Sequence, residues 1–278
     1  MKHFSRLVLF GILFILNLSI SAQRELVKLW ETDSVLKVPE SVIYDAEKKV
    51  LYVSNIDGRD PWVRDGKGSI GKVGLDGKVI DAEWVSGLEG PKGLGLHKGK
   101  LYAADMNEII VINTSTGKIE NRITVTGAEG LNDVSVDKNG IIYTSDSKLK
   151  KIYKIKDGVT ELFVDNLRGP NGVLMHGSDF YLLDGNAMYK MNADKSLTMI
   201  TEGLEGGPDG IENAGEKDYI VSCFQGIIWY VNGDGSKYKL IDTRQNKINS
   251  ADLGIDPVKK IIYVPSFWKN SIIAYQVK

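Results

Sequence analysis

Cross-linking and histidine chemistry are nearly absent from this sequence. It has one cysteine, Cys223. That excludes an intramolecular disulfide and any zinc site assembled from paired cysteines. Only three histidines occur, and His3 lies in the first ten residues. Neither sign of charge dominates, with 35 Lys and Arg against 36 Asp and Glu. No polybasic footprint exists, so nucleic acid is excluded as an expected partner. Phosphate-loop signals are missing too. Gly87–Gly95 contains Gly-Pro-Lys-Gly but no G-x-x-x-x-G-K-[ST], and it opens a strand instead of a helix. No stretch of ten or more residues follows a helical period. What the chain does hold is 42% hydrophobic residues and 30 glycines in 278 positions, ample for a large core and unlike a disordered chain.

One long apolar run exists, Leu7–Leu16, preceded by Lys2 and Arg6 and followed by Ser19, Ser21 and Ala22. This pattern reads as a secretory signal peptide over residues 1–22, with cleavage after Ala22. The run is short of the ~20 apolar residues of a membrane span, Asn17 interrupts its end, and no cysteine near the cleavage point offers a lipid anchor. The expected mature chain, residues 23–278, is secreted or periplasmic, has no stable membrane anchor, and forms one domain.

A repeat fills that mature chain. Six strand-like stretches recur: Leu51-Tyr52-Val53, Leu101-Tyr102-Ala103, Ile142-Tyr143-Thr144, Phe180-Tyr181-Leu182, Tyr219-Ile220-Val221 and Ile262-Tyr263-Val264. Each follows an anchor step, at Glu40, Lys92, Asn132, Asn171, Asp209 and Ala251, with spacings of 52, 40, 39, 38 and 42 residues. A period near 40 with hairpin turns inside it marks propeller blades of four strands. The expected fold is therefore an all-β, six-bladed β-propeller. Three strands remain after the last anchor, so the N-terminal segment Leu26–Thr32 should complete the sixth blade beside Ile272–Val277. The extra residues of the first spacing form an insertion, Asp57–Gly68, on the face where the anchors enter; that face is called the top below.

The innermost strands of a propeller surround its axis, so the anchor residues converge. Glu40, Asn132, Asn171 and Asp209 offer hard oxygen donors with two negative charges, which suits Ca2+ and, less well, Mg2+ or another divalent cation. Lys92 in the same ring is positioned to touch a substrate or to compete with the cation. His97 and His176 fall on bottom turns, leaving no histidine base on top and no Ser–His–Asp constellation. The top rim supplies further candidate contacts for a small-molecule substrate: Trp62 and Arg64 in the insertion, Asp146 at a second-strand end, and Phe224 and Trp268 in exit loops. Cys223 reads as a buried structural thiol.

Asn132-Asp133, Pro170-Asn171-Gly172 and Pro208-Asp209-Gly210, with Glu40 ahead of them, resemble the senescence marker protein/gluconolactonase/luciferin-regenerating-enzyme-like family over the chain from Pro39 onward. The resemblance implies a catalytic calcium held by Glu40, Asn132, Asn171 and Asp209, with Asp209 also active in proton transfer, and a metal-dependent hydrolase of a lactone or ester. The chain departs from the family at Gly130, where sugar-lactonase members tend to carry arginine, and at Ser41-Val42, where Gly-Pro usually follows the glutamate. The alternative is a non-catalytic propeller of the NHL or YWTD kind that binds a protein or glycan, since Ile141–Ser147 resembles an NHL-type strand.

Overall fold

The recurrent apolar segments are buried on both faces. In β3 (Val50–Asn55), Tyr52 packs with Leu94, Leu101 and Ile110 on one side, while Leu51 and Val53 pack with Tyr263 and Ile272 on the other. A strand buried this way must stand between two other sheets. The structure, a computed structural model, describes residues 23–278, and its sheets are six antiparallel units of four strands. The expected signal peptide, residues 1–22, lies outside the described residues. Among those described, no helix is long and apolar enough to cross a membrane.

Blade one comprises β2 (Pro39–Asp45), β3, β4 (Gly68–Gly74) and β5 (Val79–Leu88); blade two β6 (Pro91–His97), β7 (Lys100–Asp105), β8 (Glu108–Asn113) and β9 (Ile119–Thr124). Blade three holds β10 (Leu131–Val136) to β13 (Val159–Val164), blade four β14 (Pro170–His176) to β17 (Leu197–Thr201), and blade five β18 (Pro208–Gly215) to β21 (Lys237–Asp242). The sixth blade is composite. Its order is β22 (Gly254–Asp256), β23 (Ile261–Pro265), β24 (Ile272–Val277) and then β1 (Leu26–Glu31). The ring therefore closes as the sequence predicts, with Leu26 opposite Val277 and Trp30 opposite Ala274. Trp30 locks the closure: its indole N–H donates to the Leu75 carbonyl at 3.0 Å, and its ring lies 5.8 Å from that of Tyr263. Gly77, at φ 84°, passes so close that a Cβ would stand 2.9 Å from the Trp30 ring.

A hydrophobic cluster fills each seam between successive blades. Tyr181, Leu183 and Met188 of blade four meet Ile211, Val221 and Trp229 of blade five, for example. Each fully buried aliphatic side chain contributes about 1.5–3 kcal/mol of transfer free energy, so the seams hold the ring together.

The first strands line the axis, and those of blades one to five begin with a pairing irregularity: between Pro39 and Ser41, Pro91 and Leu94, Leu131 and Val134, Pro170 and Val173, and Pro208 and Ile211. A bulge interrupts the strict alternation of side chains. The anchor and its successor can then both face the axis or the adjoining blade. Gly93 and Gly210 occupy successor positions, and a Cβ on Gly93 would stand 2.5 Å from Asp133 Oδ1. On Gly210 it would overlap Asp252 Oδ1 and stand 2.7 Å from the Leu253 amide nitrogen.

Candidate metal centre on the propeller axis

Glu40, Lys92, Asn132, Asn171 and Asp209 each hold the second position of their first strand. Ala251 precedes β22 and packs with Ile56 and Phe267. The two amides are oriented by their donors. Asn171 Nδ2 donates to Asp209 Oδ1 at 2.7 Å. Asn132 Nδ2 donates to Ser147 Oγ at 3.0 Å, and that hydroxyl donates on to the Pro170 carbonyl at 2.7 Å. Each amide has thus committed N–H to the protein, which leaves its carbonyl oxygen as the acceptor for a ligand. Glu40 is buried, and its Oε2 has no hydrogen-bond partner.

Burial pushes the Glu40 carboxyl well above the usual carboxylate range, reinforced by Asp209 and Asp133 and partly offset by Lys92. Asp209 is pushed up to about 7, chiefly by burial, with the Asn171 hydrogen bond opposing and the charge of Asp133 adding. An orphaned carboxylate oxygen beside a second buried carboxylate is costly unless a positive charge answers both. Among the described residues no three His, Cys, Asp or Glu side chains form a metal cluster. The donor set that fits a cation is two carboxylates with two amide oxygens, all of them hard ligands.

Lys92 does not supply the missing charge by direct pairing. Its Nζ donates to the Pro61 and Gly90 carbonyls at 2.7 and 2.8 Å. It also stands 4.1 Å from the Trp62 ring centroid. Burial lowers its pKa to about 8, against the opposing pull of Glu40.

Of the rim candidates, Trp62 therefore roofs the ring. Arg64 holds the insertion down, donating from Nη2 to Asn107 Oδ1 at 2.5 Å. Asp146 is fully buried, and its two oxygens accept the Glu129 and Leu149 N–H groups, both at 2.8 Å. That is the geometry of a blade-end clamp. Phe224 packs against the cluster of Ile56, the sixth anchor Ala251 and Phe267, and Trp268 reaches the same Phe267. Each packs edge-on against Phe267, at 5.0 and 4.7 Å, and Trp268 flanks a shallow groove of about 530 Å³ with Arg244, Lys247 and Lys269. His97 and His176 close the lower ends of β6 and β14. Cys223 is buried, with its thiol pKa raised by burial.

Sequence reasoning missed Ser147, which sets the Asn132 amide, and Lys148, which also reaches Trp62 at 4.5 Å. It missed a second tier as well. Below the ring, the first strands of blades one to five, with Asp252 and Leu253 just ahead of β22, line an axial cavity of about 170 Å³ that Asp133, Glu212 and Asp252 face.

The propeller superposes on known structures of low identity. A gluconolactonase from Xanthomonas campestris matches with a TM-score of 0.66 at 15% identity, covering 91% of this chain and 89% of that one. A catalytically inactive histidine-to-alanine variant of virginiamycin B lyase from Staphylococcus aureus, solved with quinupristin, matches at 0.62 and 12% identity, covering 91% and 99%. These likenesses show the fold alone. Among curated proteins, Strictosidine synthase-like 7 of Arabidopsis thaliana is 22% identical, over 71% of this chain. The chain matches only 60% of that relative's length. The family model of the SMP-30/Gluconolactonase/LRE-like region matches residues 38–261, all five polar anchors included, and the chain belongs to that family.

Proposed function

We propose that this protein is a divalent-cation-dependent hydrolase of a lactone or ester, working at the top of the propeller axis. The observation that carries the reading is the Glu40 Oε2 atom, buried without a partner, in a ring that also holds Asp209 and the amides of Asn132 and Asn171. Calcium suits this set better than magnesium, because carboxylate and amide oxygens on four separate strands form a wide and adaptable cage. When bound, the cation would polarise the substrate carbonyl. The chain's own residues do the rest. Asp209, held by Asn171, takes a proton from the attacking water, whose oxygen bonds to the carbonyl carbon. The acyl carbon–oxygen bond then breaks, and the proton passes to the departing alkoxide. Trp62 and the insertion limit access of bulk water to the ring. A leader over residues 1–22 would place this reaction outside the cytoplasm.

The lyase-like alternative is weaker. The lyase solved as an inactive histidine variant implicates that side chain in its activity, whereas His97 and His176 here lie at the bottom of the propeller.

Calcium titration of the purified chain, followed by a panel of lactones and aryl esters, tests the reading. A bound cation at a hundredfold excess over its Kd stabilises by about 2.7 kcal/mol, so chelator should lower the Tm. Asp209→Ala should remove both that dependence and the hydrolysis. A native protein that binds no cation and cleaves nothing on the panel would be a binding propeller of the NHL or YWTD kind.

A further inference from the structure

Two lysines from different blades share the ring of Trp62. The Lys92 ammonium is 4.1 Å from its centroid and the Lys148 ammonium 4.5 Å. Neither lysine forms an ion pair within 4.0 Å of a described carboxylate. The acids whose charge reaches Lys92 are Glu40, Asp105 and Asp60. Asp105 is occupied by the Glu89 and Gly90 N–H groups, and Asp60 by that of Trp62. Lys92 spends two of its three N–H bonds on the Pro61 and Gly90 carbonyls.

Lys148 is aimed at this place by its backbone and by a missing side chain. Asp146 ties the loop before β10 to the loop after β11 (Ile142–Asp146) by accepting from Glu129 and Leu149. The Lys148 stem crosses Gly130, where a Cβ would stand 2.6 Å from its Cγ and 2.8 Å from its Cδ. Its neighbour Ser147 touches Asn132. Glu40, Lys92 and Asp209 are only 6, 2 and 5% exposed, while Asn132 and Asn171 are half-buried. The ring is therefore most accessible over blades three and four, on the side of Lys148.

We infer that Lys148, with Lys92 behind it on the same indole, is a specificity-determining residue that selects a substrate carrying a carboxylate beside the reacting lactone or ester carbonyl. The inference rests on the hydrolase reading for the bond that is cleaved, and on the two ammonium groups for the charge that is recognised. With the charges of Glu40 and Asp209 answered by a divalent cation, the mouth retains two unpaired positive charges. A carboxylate there would accept the remaining Lys92 N–H or those of Lys148, in charge-assisted bonds.

The test compares a five-membered lactone bearing a ring carboxylate with its neutral methyl-substituted counterpart, on the calcium-loaded full chain. The carboxylate lactone should be preferred in kcat/KM by about tenfold or more, through KM, and less so at high salt. Lys148→Met should reduce that preference about tenfold. Gly130→Ala, which keeps every charge but displaces the lysine stem, should reduce it likewise, and Lys148→Arg should retain it. Equal or better cleavage of the neutral lactone by the native protein would overturn the inference, as would a preference that survives in both Lys148→Met and Gly130→Ala. Cleavage of neither lactone would count against the hydrolase reading instead. In that event the hydroxy-dicarboxylate product is titrated against Trp62 fluorescence, with Trp62→Phe as the blank. Binding that weakens in Lys148→Met upholds carboxylate recognition, and no binding rejects it.

Discussion

Asn171 donates its side-chain N–H to Asp209 Oδ1 at 2.7 Å across the seam between β14 and β18. The bond aims one proposed ligand with another, so the two cannot be altered independently. A hydrogen bond to a charged group is worth about 1.5–3 kcal/mol. Asn171→Ala should therefore weaken calcium binding at least tenfold in a calorimetric titration, beyond the loss of one oxygen donor. Affinity within twofold of the native value would remove Asn171 from the set.

Glu212 lines the axial cavity, and burial, with the charge of Asp133 adding, pushes it up to about 8 from an ordinary 4.5. A raised carboxyl favours the folded state most below its unfolded value and loses that contribution as pH climbs toward the folded value. Glu212→Gln should thus raise the Tm at pH 8 by on the order of 5 °C and leave it nearly unchanged at pH 4.5. Thermal scans in chelator at both pH values check this. An equal shift at both would show that packing, not ionisation, governs the site.

Asp146→Ala should act on stability and not on substrate affinity, because both carboxylate oxygens hold backbone N–H groups in a fully buried position. Two orphaned donors cost about 2–4 kcal/mol, visible as a lower denaturant midpoint. A variant of native stability with a raised KM would mean that Asp146 contacts substrate.

Trp30→Ala should loosen the closure of blade six, at about 3 kcal/mol for a large aromatic with one indole hydrogen bond. Hydrogen exchange should then rise first in β1 and along β24. Uniform exchange across all blades would mean that closure is not a local weak point.

Gly210→Ala should cost about 3 kcal/mol or more, since the new methyl would meet Asp252 and the Leu253 backbone at the seam between blades five and six. A midpoint unchanged in urea would show that this approach relaxes freely.

The blade count, the composite sixth blade and the anchor ring were legible because each rests on a periodic signal: an apolar stretch, a turn and an anchor recurring about every 40 residues. The second tier was hidden by the bulges. Strand alternation sends Asp133 away from the face of Asn132, yet it lines the axial cavity at the register shift between Leu131 and Val134. Lys148 was hidden for another reason. Its position depends on Gly130, eighteen residues earlier in sequence, having no side chain to occupy the same space. Asp146 illustrates the converse, since an aspartate ending a strand near a pocket has the same sequence signature whether it clamps backbone or binds a ligand.

Joining β1 to β24 has a further consequence for the order in which the chain assembles. Leu26 and Val277 are partners drawn from opposite ends of the described chain, so this contact has nearly the longest loop to close and is unfavourable until the other blades have formed. A ribosome delivers β1 well before its partner β24. Until β24 emerges, β1 has no strand to pair with. The annealing of β1 should be the final, slow step of folding, and the same seam the first to part under load.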